Sequence, residues 1–190
     1  MNGTSPAVST SKVNISGDDA DTDLLIAAGA SPDISPALRR PGRELCLVTP
    51  SCRRAWDKGD FRPTRAGDAY TGCFSRKCQA YAERFYPGAW CVLDARHGFM
   101  FPDEVIRKAH SACLYQPWTE PLTLDELKVR VRKRKLDQYE RITVLGGRRF
   151  IILVEDAFPG KRVRAPLAGV GGIGEMMRAL NEAMIIGRRL

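Results

Sequence analysis

Three short runs constrain this chain most: ELCLVTP at 44–50, AWCVLDA at 89–95 and RITVL at 141–145. Each is almost continuously apolar. A strand with one wet face alternates polar and apolar residues, so a run without alternation reads as a strand buried on both sides. Helical spacing separates the runs. Phe74, Cys78, Tyr81, Ala82 and Phe85 recur on one helical face, and Pro87-Gly88 ends that element. Thr123 and Glu126 form a capping box, and Leu122 with Leu127 a hydrophobic staple. The helix they open is expected to run on to about residue 140, with Leu124, Leu127, Val131, Leu136 and Tyr139 as its apolar stripe.

Gly146-Gly147 reads either as a hairpin turn or as a strand-to-helix turn. The alternation of strands and helices elsewhere favours the second, with a helix over 148–156. KRVRAPLAG then reads as irregular or as a short strand, and a terminal helix occupies 173–187 up to Gly187. The pattern is that of an α/β fold: a single layered domain with a small, mostly parallel sheet flanked by helices.

The domain is placed at 41–190, preceded by a disordered acidic tail over 1–40. The tail is rich in Ser, Asp, Gly, Ala and Pro, and its one apolar patch is LLIAAGA at 24–30. It carries five acids against three bases, whereas the other 150 residues carry 17 acids against 27 bases. The net charge of +8 therefore divides into −2 over the tail and +10 over the remaining 150 residues. That balance favours an anionic partner, a nucleic acid or a nucleotide phosphate. No apolar run approaches the roughly 18 residues needed to span a bilayer, and the start of the chain lacks the apolar core of a secretory signal. The expected location is the cytoplasm, with no membrane partner and with all six cysteines reduced.

Four groupings carry chemistry. Gly169, Gly171 and Gly174 in GVGGIG fit G-x-G-x-x-G before a helix. Too few residues follow for a dinucleotide site, which leaves a simple anion site at Gly171 and Gly172 or a close-packed helix entry. Lys128, Arg130, Arg132, Lys133, Arg134 and Lys135 form the densest basic run, either a nucleic-acid-binding helix or a solvated face. Cys73 and Cys78, with His110 and Cys113, do not copy the tight ligand pairs of structural zinc sites, so no metal and no cofactor is expected. Asp94, Arg96 and His97 follow a buried strand, where α/β sheets open their ligand crevice. There an imidazole can move protons near neutral pH. The bland alternative is a structural loop in which Asp94 pairs with Arg96.

The segments TPSCRRAW, AGDAYTGCFSRKCQAYAE and WCVLDARHGFMFPDEVI resemble, in that order, the YaaA-like superfamily of domains of unknown function. Its members read as strand–SCxKKK, then AxDLYxSxxF, then WxILSAK(H/Y)GLLxPxxVI. The likeness covers about residues 44–106. It implies a link to peroxide stress and DNA binding, and to domains found near nucleic-acid base-modification enzymes. By position it implicates Ser51, Cys52, Arg53 and Arg54, then Asp68 and Tyr70, then Asp94, Arg96, His97 and Gly98. Arg53 and Arg54 replace family lysines, Asp94 replaces a serine, and RKAHSACL stands where a Pro-Tyr-Asp-like segment is usual.

The expected function is therefore directed at nucleotides or nucleic acid. The first loop would grip phosphate or a base edge, and Asp68 and Tyr70 would hydrogen-bond base or sugar. Asp94 and His97 would supply the acid–base step for cleavage or exchange at an N-glycosidic bond or another nucleobase-directed reaction. The alternative is a non-catalytic DNA- or RNA-binding protein in stress response or modification-linked defence.

Overall fold

The computed structural model describes residues 44–190. The expected tail falls outside the described residues. Strand β1 (Glu44–Val48) leads through β2 (Thr64–Arg65) and the short α1 (Ala66–Ala69) to α2 (Cys73–Phe85). Then come β3 (Trp90–Asp94), β4 (Gly98–Met100), β5 (Val105–Ile106), α3 (Leu124–Lys133), β6 (Arg141–Leu145), α4 (Arg148–Ala157), β7 (Arg162–Arg164) and α5 (Ile173–Ile186).

The main sheet has the order β4-β3-β1-β6-β7. β1 pairs in parallel with β3 and β6, β6 with β7 in parallel, and only β4 is antiparallel. β2 and β5 form a separate antiparallel pair. Successive strand residues point to opposite faces. Cys46, Val48, Trp90 and Val92 pack in one cluster with Cys78, Tyr81 and Ala82 of α2 and Leu180 and Ala183 of α5. Leu45, Leu47, Cys91, Leu93, Ile142 and Val144 pack in the other with Leu127 and Val131 of α3 and Val154 and Ala157 of α4. Helices cover both faces, which is why the three runs carry no polar alternation.

Gly146-Gly147 is a strand-to-helix turn, with Gly147 as the N-cap of α4. The loops after β1 and β6 are pressed together there: Thr49 Oγ1 donates to the Leu145 carbonyl at 3.0 Å. A Cβ on Gly146 would overlap the Thr49 side chain.

One element is shorter than expected. α3 opens on the capping box, with Thr123 Oγ1 accepting from the Glu126 amide and Glu126 Oε2 accepting from the Thr123 amide. It stops at Lys133, not near 140. Lys135 is left-handed at φ 56°, and a 3₁₀ turn over Leu136–Gln138 follows. This break turns Leu136 and Tyr139 into the core, both at most 3% exposed. Among the described residues no helix is long and apolar enough to cross a membrane.

Candidate functional site

β3 and β4 are joined by the three-residue turn Ala95-Arg96-His97, across which Asp94 pairs with Gly98. Gly98 sits at φ 81°, the left-handed position that closes a hairpin of this length. Its bare Cα also faces the Arg130 side chain. It shapes the turn and seats α3.

Asp94 lies on the strand face that carries Val92, and it is fully buried. Its carboxylate is saturated. Oδ1 accepts from the backbone amides of Arg96 and His97, each at 2.8 Å, and stands 2.9 Å from His97 Nδ1. Oδ2 accepts from the Tyr70 hydroxyl at 2.9 Å and stands 3.0 Å from His110 Nε2. Burial alone would raise this carboxyl, but the hydrogen bonds of His110 and His97 outweigh it and hold the group far below the usual carboxylate range. Burial, and after it the Asp94 charge, pushes the Tyr70 phenol well above its ordinary value. Tyr70 is therefore a fixed donor.

The two imidazoles differ in access. The His97 side chain is 33% exposed and that of His110 is 9%. Their rings meet edge to face at 5.4 Å. With Arg96, Lys108, Ser111, Thr119 and Glu120 they line a cleft of about 340 Å³. His110 Nδ1 is buried without a hydrogen-bond partner among the described residues. That pattern is best satisfied when the ring proton sits on Nε2 and is donated to Asp94.

His110 stands in the RKAHSACL segment, and the sequence offers no role for it beyond the four-ligand set with Cys73, Cys78 and Cys113. Nothing regular holds that segment; the first loop does. Arg54 Nη2 donates to the carbonyls of Ser111 and Ala112 at 3.0 and 2.8 Å, and Trp56 Nε1 to that of His110 at 3.1 Å. The Trp56 and His110 rings lie 5.3 Å apart.

Several expected ligand residues are thus employed elsewhere. Arg54 Nη2 is engaged by the Ser111 and Ala112 carbonyls. Ser51 Oγ donates to the Arg53 carbonyl and accepts from the Gly72 amide, so it braces its own loop. Cys52 and Arg53 are exposed beside it, outside the cleft lining. Asp68 is exposed on α1 and makes no contact with Asp94 among the described bonds. The Arg96 guanidinium donates to the Glu120 carbonyl, and Asp94 takes the Arg96 backbone amide instead. At the start of α5, the Glu175 side chain folds against Gly171 and Gly172 and fills the position where an external anion was expected.

The basic run is divided. Arg134 forms a bidentate pair with Glu104 at 2.6 and 2.7 Å, and Arg130 packs against Gly98. Lys128 and Arg132 line a second cleft, of about 410 Å³, with Lys161 and Asp137. Lys133 and Lys135 are exposed. All six cysteines are free and take no part in the Asp94 cluster.

These features define a class: an α/β domain covered on both faces, with a carboxylate–imidazole centre at the end of one sheet strand. The chain is 30% identical over 144 residues to the uncharacterized protein YfjM of Bacillus subtilis (strain 168), a match covering 75% of this chain and 95% of that protein. It belongs to the family of that protein. No protein-family profile matches the chain, and no solved structure does.

Proposed function

We propose that this protein acts on a nucleotide or nucleic acid, with its reactive centre at Asp94, His97 and His110, and that it cleaves or exchanges an N-glycosidic bond or performs another step at a nucleobase. The observation that carries this reading is the single buried carboxylate that holds two imidazoles at the wall of a cleft. Asp94 fixes the tautomer and orientation of His97 through Nδ1, which leaves Nε2 as the group that gives or takes a proton. Arg96 and Lys108 supply positive charge at the same wall, suited to a phosphate. Departure of a nucleobase needs a proton on its leaving nitrogen, and the water that adds to the sugar carbon must lose one. An imidazole can both donate and accept a proton, so one ring can serve both demands.

The YaaA-like resemblance of residues 44–106 supports the same substrate class, as does the basic balance of the folded part. Cytoplasmic residence and association with nucleic-acid-modifying enzymes belong to this proposal too. Base release from free nucleotides and from DNA tests it. Release by the wild type that falls by about 10²-fold or more in His97→Ala supports the assignment. Absence of release in both proteins overturns it.

The convergence of Lys128, Arg132 and Lys161 on the second cleft favours one alternative, a protein that binds DNA or RNA without turnover. Affinity that falls steeply with salt and is unchanged in His97→Ala, with no product formed, is its signature.

A further inference from the structure

We propose that Asp94, His97 and His110 form a binding site for one divalent transition-metal ion, of the zinc, cobalt, manganese or iron class. The inference rests on the reading of this cluster as the reactive centre, and it concerns a ligand that the spacing of cysteines and histidines in the sequence did not suggest.

The candidate donor atoms, His97 Nδ1, His110 Nε2 and a carboxylate oxygen, all lie within 4.8 Å of one another. Each imidazole nitrogen stands 2.9 or 3.0 Å from its oxygen. The two contacts are to different oxygens, His97 Nδ1 to Oδ1 and His110 Nε2 to Oδ2. Either pair subtends about 90° at an ion about 2.1 Å from both atoms, the angle between adjacent octahedral ligands, and a small turn of the other ring completes the set. Two nitrogens and one carboxylate are a donor set for borderline transition metals, whereas calcium and magnesium prefer oxygen alone.

The surroundings of Asp94 suit the exchange. Its oxygens are also held by the Tyr70 hydroxyl and the amides of Arg96 and His97, none of which is a candidate ligand. When the two imidazoles release the carboxylate and turn the same nitrogens onto an ion, those three donors still fix it. They are the outer shell that orients a metal-binding carboxylate. The ion takes the place of two N–H dipoles as the partner of a buried anion and turns the net charge of the site from −1 to +1, while the proton of each ligating nitrogen passes through solvent to the other nitrogen of its ring. The exposed side of His97 leaves the remaining coordination positions facing the cleft, open to water. In the loaded form His97 is a ligand, and a metal-bound water takes over its proton-transfer role.

The test uses the full-length chain, stripped with chelator and dialysed, and metal alone. Cobalt(II) is followed by visible absorption and zinc by calorimetry. One ion per chain is expected, in the wild type and equally in Cys52→Ser/Cys73→Ser, which removes two exposed thiols. Affinity should drop by about 100-fold or more in His97→Ala and in His110→Ala, and by roughly tenfold in Tyr70→Phe. His97 is partly exposed, so His97→Ala is the variant expected to fold normally, and circular dichroism checks each protein. No stoichiometric uptake by the wild type overturns the proposal, as does uptake that His97→Ala leaves unchanged. Base release is scored separately, in the chelated and in the metal-loaded protein: release without metal uptake sinks this inference alone, and uptake without release by either form sinks the proposed reaction alone.

Discussion

His97 and His110 share one carboxylate without competing for it: Nδ1 of the first meets Asp94 Oδ1 at 2.9 Å, and Nε2 of the second meets Oδ2 at 3.0 Å. The two rings come from a hairpin turn and from an irregular segment thirteen residues further on. A fully buried anion is thereby the point on which these parts of the chain are registered. Such a group is tolerated only while its donors are present.

Asp94→Asn removes the charge and puts an NH₂ where donors already point. The expected cost is about 3 kcal/mol at pH 7, read from urea unfolding with an unchanged m value. The pH dependence carries a sign. The carboxyl is held below its unfolded value of about 3.9, so the stability it contributes is complete above that value and is lost as pH falls through the acid range. Wild type should lose stability more steeply than Asp94→Asn between about pH 5 and pH 2. Parallel acid limbs in the two proteins would show that Asp94 is not the ionised hub described.

Tyr70→Phe deletes one donor and leaves the ring in place. The loss should be about 1.5 kcal/mol, half or less of that for Asp94→Asn, because four donors to the carboxylate remain. The phenol is raised far above the ordinary tyrosine range, so it stays protonated while the protein is folded. In an alkaline titration followed near 295 nm, wild type and Tyr70→Phe should ionise the same number of tyrosines before unfolding. One fewer in the variant would mean that Tyr70 titrates in the folded state.

The layered fold was legible because the physics was local. Unbroken apolar strands report burial on two faces, and the Thr123–Glu126 capping box reports a helix start within four residues. The end of α3 was not legible. The stripe through Leu136 and Tyr139 continues at helical spacing, and only the left-handed Lys135 and the packing of both side chains in one cluster with Ile142 and Val144 of β6 redirect it. The hairpin at DARHG did have a signal, an Asp and a Gly bracketing three residues between apolar runs. Asp94 and His97 could be named in advance because a strand end positions them, and Tyr70 because the YaaA-like resemblance implicates it. His110 could not be, because its place depends on Arg54 and Trp56 more than fifty residues earlier. The same long-range bonds explain why Arg54 reads as a free cation in sequence and is none in the fold.

The contact between Thr49 and Gly146 makes a separate claim, about the crevice between β1 and β6. In an open parallel sheet such a crevice at the strand ends commonly receives ligand. Here the Thr49 side chain fills it. Gly146→Ala should cost about 2 kcal/mol through overpacking. Thr49→Ser removes the nearest methyl while keeping the hydroxyl that bonds Leu145. The double variant should therefore recover at least half of the loss, a coupling read by a double-mutant cycle. Additive costs would place the strain elsewhere and reopen the crevice as a ligand site.

Finally, the division of the basic run separates structural from available cations. Arg134 is committed to Glu104 by two short bonds, tying the end of α3 to the turn after β4. The pair is partly exposed on both sides, so Arg134→Ala should cost only about 1 kcal/mol. It should leave the salt dependence of nucleic-acid binding unchanged. Lys128, Arg132 and Lys161 are the cations that converge on a cleft, and each phosphate contact they make adds about one to the slope of log affinity against log salt. Arg132→Gln and Lys161→Gln should each lower that slope by about one and weaken all sequences alike. An unchanged slope in both variants, alongside a reduced one in Arg134→Ala, would reverse this assignment and move any nucleic-acid contact to the face of α3 that carries Arg134.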